Sequence, residues 1–362
     1  MQLNLDGTGG AYSLASGVQA IIKDEYIFDY LCMGKFINSF QRKLILESGG
    51  KVFELGLRKN RLVGHALLPI KLYKFFAVNK YEIVQINVDT SWKMLLFAYP
   101  AKKAGVKKII GYSHASDANG DCYYLKRILH KICKRHLRKY INEYVSCNNE
   151  AAKWMYSANC LKYASVIRNG IDIRKYTFSE HERQHIREKY NITEKCVLGL
   201  VTDYSKVKNV NFAISLFKVL FDTDCDYHML IIGIGANMSE VQSNVSKYSM
   251  NDGITFIGYS NDIYKYYSAM DYLLLPSYKE GYPMCVIEAQ VNGVKVLLSD
   301  TLDRNLKISD LTKFITINNI EPWINEIRKS KKPREMNGAI NVSYDSVDIN
   351  KTASMIKKIY RM

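Results

Sequence analysis

The stretch LPSYKEGYPMCVIEAQVNG, residues 275–293, carries two acids, Glu280 and Glu288, with seven residues between them. DYLLLP, just upstream, reads as a buried strand: a short apolar run that stops at a proline. SYKEGY is then a loop beyond the strand's carboxyl end. Pro283 suits the first helical turn, where the N–H it lacks would go unpaired anyway. MCVIEAQVN makes about two turns of helix, and Gly293 suits the left-handed residue that closes one. Glu280 thus stands in the loop ahead of the helix, and Glu288 lies inside it, roughly 7 Å further along at 1.5 Å per residue. Ligands of open α/β sheets bind beyond the carboxyl ends of the strands. A helix N-terminus there attracts phosphate, and flanking carboxylates accept hydrogen bonds from sugar hydroxyls. Spacing alone fits equally well a solvated helix acid and a second acid favoured by the helix dipole.

The same strand-and-helix rhythm runs outward in both directions. EYIFDYLC, GKVFELGL, YEIVQINV, VKKIIGYS and EYVSC read as strands in the first half, and CVLGLV, YHMLIIG, ITFIG, DYLLLP and VKVLLS in the second. LVGHALLPIKLYKFFAV and the 125–141 segment between them have helical spacing. Alternation of this kind predicts parallel sheets covered by helices, in two doubly wound α/β units. The polar stretch DIRKYTFSEHERQH, 172–185, is where the boundary is expected. The domains predicted are 1–172 and 173–345, with a C-terminal helix at 346–362 that packs back on the first.

A length of 362 residues accommodates two cores, and 48% hydrophobic with 24% charged residues is a globular composition. No apolar run approaches the ~18 residues of a membrane span. The opening MQLNLDGTGG has neither the basic nor the apolar region of a signal peptide. A cytoplasmic protein is expected. The eight cysteines are scattered without metal-ligand spacing, so reduced, packed thiols are expected and no metal site. The net charge of +16 is uneven: residues 1–180 hold 28 Lys and Arg against 14 Asp and Glu, and residues 181–362 hold 23 against 21. Anionic lipid, phosphorylated acceptors and nucleic acid all suit such a basic half, but no nucleic-acid-binding module accompanies it.

PSYKEGYPMCVIEAQ resembles the E-x7-E signature of retaining family 4 glycosyltransferases of the GT-B fold. VIRNGIDIRKY is similar to that family's inter-domain segment, VKNVNFAISLF to its K-N-H-x-F-L-I-x-x-F run, and LIIGIGANM and ITFIGYSNDIYKYYSAMD follow in its order. Coverage is essentially the whole chain, and the likeness is strongest to enzymes of bacterial capsule and exopolysaccharide synthesis. The resemblance implies two Rossmann-like domains facing across a cleft, an acceptor on the N-terminal one and a UDP- or GDP-sugar on the C-terminal one. It implies that Glu288 holds the ribose, that Glu280 lies against the transferred sugar, and that backbone N–H groups of the loop from Gly281 to Met284, those of Gly281, Tyr282 and Met284 around Pro283, face sugar and diphosphate. No metal or other cofactor is implied. The acceptor implied is a saccharide, carried on a lipid such as undecaprenyl diphosphate.

Five further motifs are weighed beside it. Gly9 and Gly10, after the short strand MQLNL, permit either a plain turn or close approach to a phosphate, and the family position favours the donor. LIIGIGANM lacks the third glycine of a dinucleotide fingerprint, so NAD is not inferred, and family order puts Gly233 and Gly235 near the donor. His114 ends a strand in GYSHAS; a lone histidine is commonly structural, but the family has a sugar-facing histidine here. LVTDYSKVKN keeps Lys208, which clamps the diphosphate in the family, yet has Thr202 and Asp203 where the family has Gly and Arg. An acid there either turns away, with Lys206 helping, or weakens donor binding. Asp224 and Asp226 mimic a D-x-D metal motif, but precede a strand at its amino end, where a solvated loop is the better reading.

In the 125–140 stretch, Leu125, Ile128, Leu129, Ile132 and Tyr140 are expected on one face, with Lys126, Arg127, Lys131, Lys134, Arg135 and Arg138 on the other. Two roles fit: a core-packed helix with a solvated basic face, or docking on an anionic membrane. The reading that follows is a metal-independent retaining glycosyltransferase, cytoplasmic and peripheral on the inner membrane face. The competing readings are a catalytically weak assembly partner and a sugar-nucleotide epimerase or phosphorylase.

Overall fold

The computed structural model describes residues 1–5, 9–56, 61–115, 117, 123–224, 226–329 and 342–361. Two compact units emerge, one of Met1–Ile171 with Val347–Met362 and the other of Asp172–Ser346. The first holds the strands β1 Gln2–Leu3, β2 Tyr30–Cys32, β3 Val52–Glu54, β4 Ile83–Val88, β5 Lys108–Ser113, β6 Glu143–Ser146 and β7 Ser165–Val166. They form one sheet in the order β3-β2-β1-β4-β5-β6-β7, every neighbouring pair parallel. Parallel strands covered on both faces are apolar throughout, and β4 accordingly buries every residue from Val84 to Val88. Leu3, Leu31, Val84, Ile86 and Ile109 meet Leu72, Phe76, Met94 and Phe97 from the covering helices.

Two strands are shorter than their sequence suggests. The N–H groups of Glu25 and Tyr26 bond to the Ile22 carbonyl, finishing the preceding helix Gly9–Ile22, so only Tyr30–Cys32 reach the ladder. Gly50 likewise donates to the Ile45 carbonyl and closes the helix Ser39–Glu47 before β3 begins.

The C-terminal helix Ile349–Arg361 lies against Gly9–Ile22 within the first unit, where Gly17 leaves room for the Ile349 side chain. Its Tyr360 enters a buried polar chain under the sheet. Gln2 Nε2 donates to Tyr360 Oη at 3.0 Å, and Tyr360 Oη donates to Gln85 Oε1 at 2.8 Å. Gln85 Nε2 continues to Asn87 Oδ1 at 3.1 Å, and Asn87 Nδ2 returns to Gln2 Oε1 at 3.0 Å. Buried amides persist only when satisfied in this way.

The basic helix corrects an expectation. It spans Tyr123–Lys134, followed by a 3₁₀ turn Leu137–Lys139, so Tyr140 lies beyond it. The apolar residues do not pack into the core: Leu125 is 57% and Ile128 58% exposed, with Tyr124, Leu129 and Ile132 exposed as well. Only His130 is buried, and its polar contacts hold the helix. His130 Nδ1 accepts from Ser91 N at 3.0 Å, Ser91 Oγ donates to the His130 carbonyl at 2.6 Å, and Nε2 meets the Trp154 carbonyl at 2.8 Å. The imidazole also stacks on the Trp154 ring at 3.7 Å. A helix held mainly by polar contacts, with Lys134 Nζ also donating to the Lys153 carbonyl and Tyr123 Oη to Asp117, is free to turn its apolar stripe outward. Most large apolar side chains exposed among the described residues lie in this same basic unit.

The second unit holds β8 Cys196–Val201, β9 Tyr227–Ile232, β10 Ile254–Gly258, β11 Tyr272–Leu275, β12 Lys295–Ser299 and β13 Thr312–Ile315, in the order β10-β9-β8-β11-β12-β13, again parallel. A buried ion triad ties the helix Glu180–Lys189 to this sheet: Arg183 and Arg187 reach the two oxygens of Asp271 at 2.9 and 2.6 Å. Asp271 Oδ2 also accepts from Val197 N at 2.7 Å, so the acid is satisfied from both sides. The order of strands reverses direction between β8 and β11. Such a switch point is where ligand-binding loops diverge in doubly wound sheets.

Candidate functional site

The loops after β8 and β11 leave these two adjacent strands at the switch point. After β8, Thr202 Oγ1 accepts from Tyr204 N at 3.0 Å and Asp203 Oδ1 from Ser205 N at 2.9 Å, which coil the chain into a 3₁₀ turn Lys206–Lys208. Tyr204 and Asn209 adopt left-handed φ values of 57° and 52° on either side of it. Two bonds stitch this loop to the one after β11: Tyr278 N donates to the Val207 carbonyl at 2.9 Å and Asn209 Nδ2 to the Pro276 carbonyl at 3.2 Å. That registration brings Lys208 Nζ to 2.8 and 3.0 Å from the two Glu280 carboxylate oxygens. The pair is largely enclosed, its side chains 20% and 10% exposed. Burial, the largest single influence, works against the ammonium charge, but the Glu280 carboxylate together with Cys285 and Asp203 outweighs it and lifts the Lys208 pKa above the ordinary value.

Glu280 stands just ahead of the helix Met284–Asn292. Pro283 occupies the N-cap, one residue outside the first turn in which the sequence put it, since its ψ of 105° is extended. It offers no capping side chain, and the first turn contains no acid. The positive end of the helix therefore stays uncompensated by side chains from its own terminus, a disposition suited to anions. Gly293 closes the helix with a φ of 85°. Glu288 lies on the buried face, 7% exposed. Its Oε2 accepts from Tyr267 Oη at 2.7 Å, and the Tyr176 ring lies beside that of Tyr267, 6.2 Å between centroids. Burial raises the Glu288 pKa, opposed by Tyr267, Tyr176 and the nearby Lys175.

Gly233 and Gly235 follow β9 and pack on the β8 loop. A Cβ on Gly233, whose φ is 131°, would stand 1.8 Å from the Thr202 carbonyl oxygen, and one on Gly235 would stand 1.7 Å from that of Asp203. Both glycines are demanded by this backbone approach, a role distinct from the one the sequence suggested. Asp203 is itself exposed, and its carboxylate is engaged in its own turn through Ser205. Lys206 is exposed nearby, and Lys208, not Lys206, reaches Glu280.

His114 belongs to the first unit, just past β5. Its Nε2 meets Asn87 Oδ1 at 3.0 Å and its ring stacks on Tyr112 at 4.3 Å. Because Asn87 presents an oxygen there, Nε2 carries the proton and Nδ1 is left as an acceptor. Nδ1 is buried with no partner among the described residues. Burial pushes the imidazole pKa down to about 3, so the ring is neutral at physiological pH. Gly9 and Gly10 open the helix Gly9–Ile22, Gly9 with a φ of 77°, while the Asp6–Thr8 part of the loop lies outside the described residues.

Asp224 Oδ1 accepts from Asp226 N at 3.0 Å in a turn at the amino end of β9, far along the strand from the loops above. Among the described residues no group of three His, Cys, Asp or Glu is placed to hold a metal. Cys122 and Cys225 lie outside the described residues, and the described cysteines form no disulfide. Sequence reasoning missed Tyr267, Tyr176 and Asn87, which orient Glu288 and His114. Tyrosine and asparagine at those places carry no motif, and only their contacts reveal them. The second unit thus assembles a cation, a helix N-terminus and two carboxylates, suited to a ligand anionic in its middle and hydroxylated at its ends.

Residues 182–336 match the family described as "Glycosyl transferases group 1". The chain is 20% identical over 220 residues to the putative glycosyltransferase EpsF of Bacillus subtilis, a match covering 60% of this chain and 57% of that protein. It is 24% identical over 306 residues to a UDP-Gal:alpha-D-GlcNAc-diphosphoundecaprenol alpha-1,3-galactosyltransferase of Escherichia coli, covering 80% of this chain and 78% of the relative. The capsular polysaccharide biosynthesis glycosyltransferase CapM of Staphylococcus aureus is 25% identical over 135 residues, 36% of this chain and 35% of its own. In fold, the chain superposes on Anabaena HepE, solved with UDP and glucose, with a TM-score of 0.80 and 14% identity over 99% of this chain and 98% of that one.

Proposed function

We propose that this chain, whose residues 182–336 match the group 1 glycosyl transferases, moves a sugar from a nucleotide diphosphate to a saccharide acceptor with retention of anomeric configuration. The observation that carries this reading is the enclosed Lys208–Glu280 pair at the strand switch point, directly ahead of the Met284–Asn292 helix. In the reaction the bond between the anomeric carbon and the diphosphate oxygen breaks. The acceptor hydroxyl oxygen joins the anomeric carbon on the same face, and its proton passes to the departing phosphate.

Charge develops on the leaving diphosphate, and fixed donors aimed at such charge are usually the largest catalytic term. Lys208 and the backbone N–H groups of Gly281, Tyr282 and Met284, on either side of Pro283 at the helix N-terminus, supply them. Glu280 orients the sugar, and Glu288 accepts from the ribose. His114, neutral with a bare Nδ1, accepts a hydrogen bond from a sugar hydroxyl. Gly9 and Gly10, which open the helix Gly9–Ile22, permit close backbone approach by a phosphate. None of these roles calls for a metal.

The E. coli relative is named for a lipid-diphosphate-linked acceptor, and an acceptor of that class suits the first unit of this chain. No helix among the described residues is long and apolar enough to cross a membrane. The helix Tyr123–Lys134 supplies another means of reaching such an acceptor. Exposed Leu125, Ile128 and Ile132 flanked by Arg127, Lys131 and Lys134 form an amphipathic surface suited to an anionic bilayer at the cytoplasmic face.

The test is a panel of UDP- and GDP-sugars scored for protection against thermal unfolding, since a ligand held only by the folded chain raises its stability. The best donor is then given a lipid-diphosphate saccharide, and the anomeric configuration of the product is read by NMR. An inverted product, or a sugar altered without acceptor, would overturn the reading.

A further inference from the structure

Three short elements meet at Glu288. Tyr267 comes from the helix Ile263–Ala269 and is fully buried; Tyr176 ends the turn Ile173–Tyr176; and Glu288 projects from Met284–Asn292. Asn292 fastens them, its Nδ2 donating to the Tyr176 carbonyl at 3.0 Å and to Ser268 Oγ at 3.2 Å. Ser268 Oγ in turn accepts from Ser179 N at 3.2 Å. The Tyr267 phenol therefore bonds the carboxylate, with Tyr176 packed beside it, from a scaffold that is itself tied in place. A carboxylate has about four lone-pair sites, so one phenol leaves it with acceptor capacity to spare.

We infer that Tyr267 and Tyr176 are positioning residues for donor binding, fixing the Glu288 carboxylate as the acceptor of the ribose hydroxyls. The inference rests on the reading of Glu288 as the ribose-binding acid. Fixing a buried carboxylate in one rotamer removes the ordering that ligand binding would otherwise require. It also works against protonation of the carboxyl. Burial favours the neutral acid, and the groups that oppose this are the two phenols and the Lys175 ammonium, with the Cys285 thiol the remaining titratable neighbour. Removing one phenol moves the Glu288 pKa further up, so more of the carboxylate is protonated in mildly acidic solution.

The experiment uses the full chain and whichever of UDP and GDP raises its melting temperature more, together with the 2′-deoxy form of that nucleotide. Dissociation constants are measured for the native protein, Tyr267→Phe and Tyr176→Phe at pH 6 and pH 8. The native protein is expected to prefer the ribonucleotide by about tenfold, as loss of a hydrogen bond to a charged group predicts. Tyr267→Phe is expected to lose most of that preference, and to lose more of it at pH 6 than at pH 8. Tyr176→Phe, at a half-buried site and less able to disturb folding, shows the same pattern more weakly. A native protein with no ribose preference would sink the underlying reading of Glu288. A native preference kept in full by both variants at pH 6 would overturn the inference and leave that reading standing. Equal weakening of both nucleotides at both pH values would make the tyrosines structural ties and overturn it too.

Discussion

Replacing Glu280 by glutamine should tighten binding of the free nucleotide diphosphate while depressing sugar transfer. Lys208 Nζ lies 2.8 and 3.0 Å from the two Glu280 oxygens, so a diphosphate that engages Lys208 competes with this carboxylate. Two unit charges about 3 Å apart attract by roughly 5–6 kcal/mol at an effective dielectric of 20, a gross figure. Glutamine keeps a neutral hydrogen bond, and the net worth of a charge-assisted bond is about 1.5–3 kcal/mol. Release of Lys208 should therefore strengthen UDP or GDP affinity by roughly tenfold to a hundredfold. Calorimetric titration with UDP and GDP at fixed ionic strength measures it, with Lys208→Met as the variant that must weaken binding. Equal or weaker nucleotide binding by Glu280→Gln would refute the idea that diphosphate and Glu280 share this lysine.

Three other outcomes are expected. Asp271→Asn leaves Arg183 and Arg187 buried without a counter-charge and should cost about 3–5 kcal/mol, read from urea unfolding of the second unit. His114 should show no imidazole titration by NMR between pH 5 and 8. Its pKa is lowered on folding to about 3, so the unfolded chain binds the extra proton and His114 removes stability as pH falls from about 6.5 toward 3. His114→Gln should flatten that part of the pH–stability curve. Replacing Leu125, Ile128 and Ile132 together by serine should leave stability nearly unchanged, since all three are exposed. The same variant should lose sedimentation with anionic vesicles, each residue contributing at most about 1.5–3 kcal/mol of burial.

The sequence made the second unit's site readable because its residues fall on loops after apolar strands, and period and punctuation locate such loops. Gly293, the helix Met284–Asn292 and the parallel alternation of both units emerge directly from that pattern. Contacts across distant segments were not legible. Nothing in YKYYSAMD tells which tyrosine meets Glu288, and nothing in VKN tells that Lys208 pairs with Glu280. Gly233 illustrates the reverse: its place in a motif suggested ligand approach, while the Thr202 carbonyl is what excludes a side chain there. The amphipathic stripe at 125–132 was visible, but which way it faces depends on His130 gripping Ser91 and Trp154, and no periodicity records that.

The central claim is that the second unit holds a nucleotide sugar between Lys208, the Met284–Asn292 helix N-terminus and Glu288. Calorimetric titration of the native chain and of Glu288→Ala with a panel of UDP- and GDP-sugars tests it most directly. At least one donor should bind the native chain at micromolar concentrations and bind Glu288→Ala at least about tenfold more weakly. A panel in which no donor binds the folded native chain, or in which binding is indifferent to Glu288, would contradict the account.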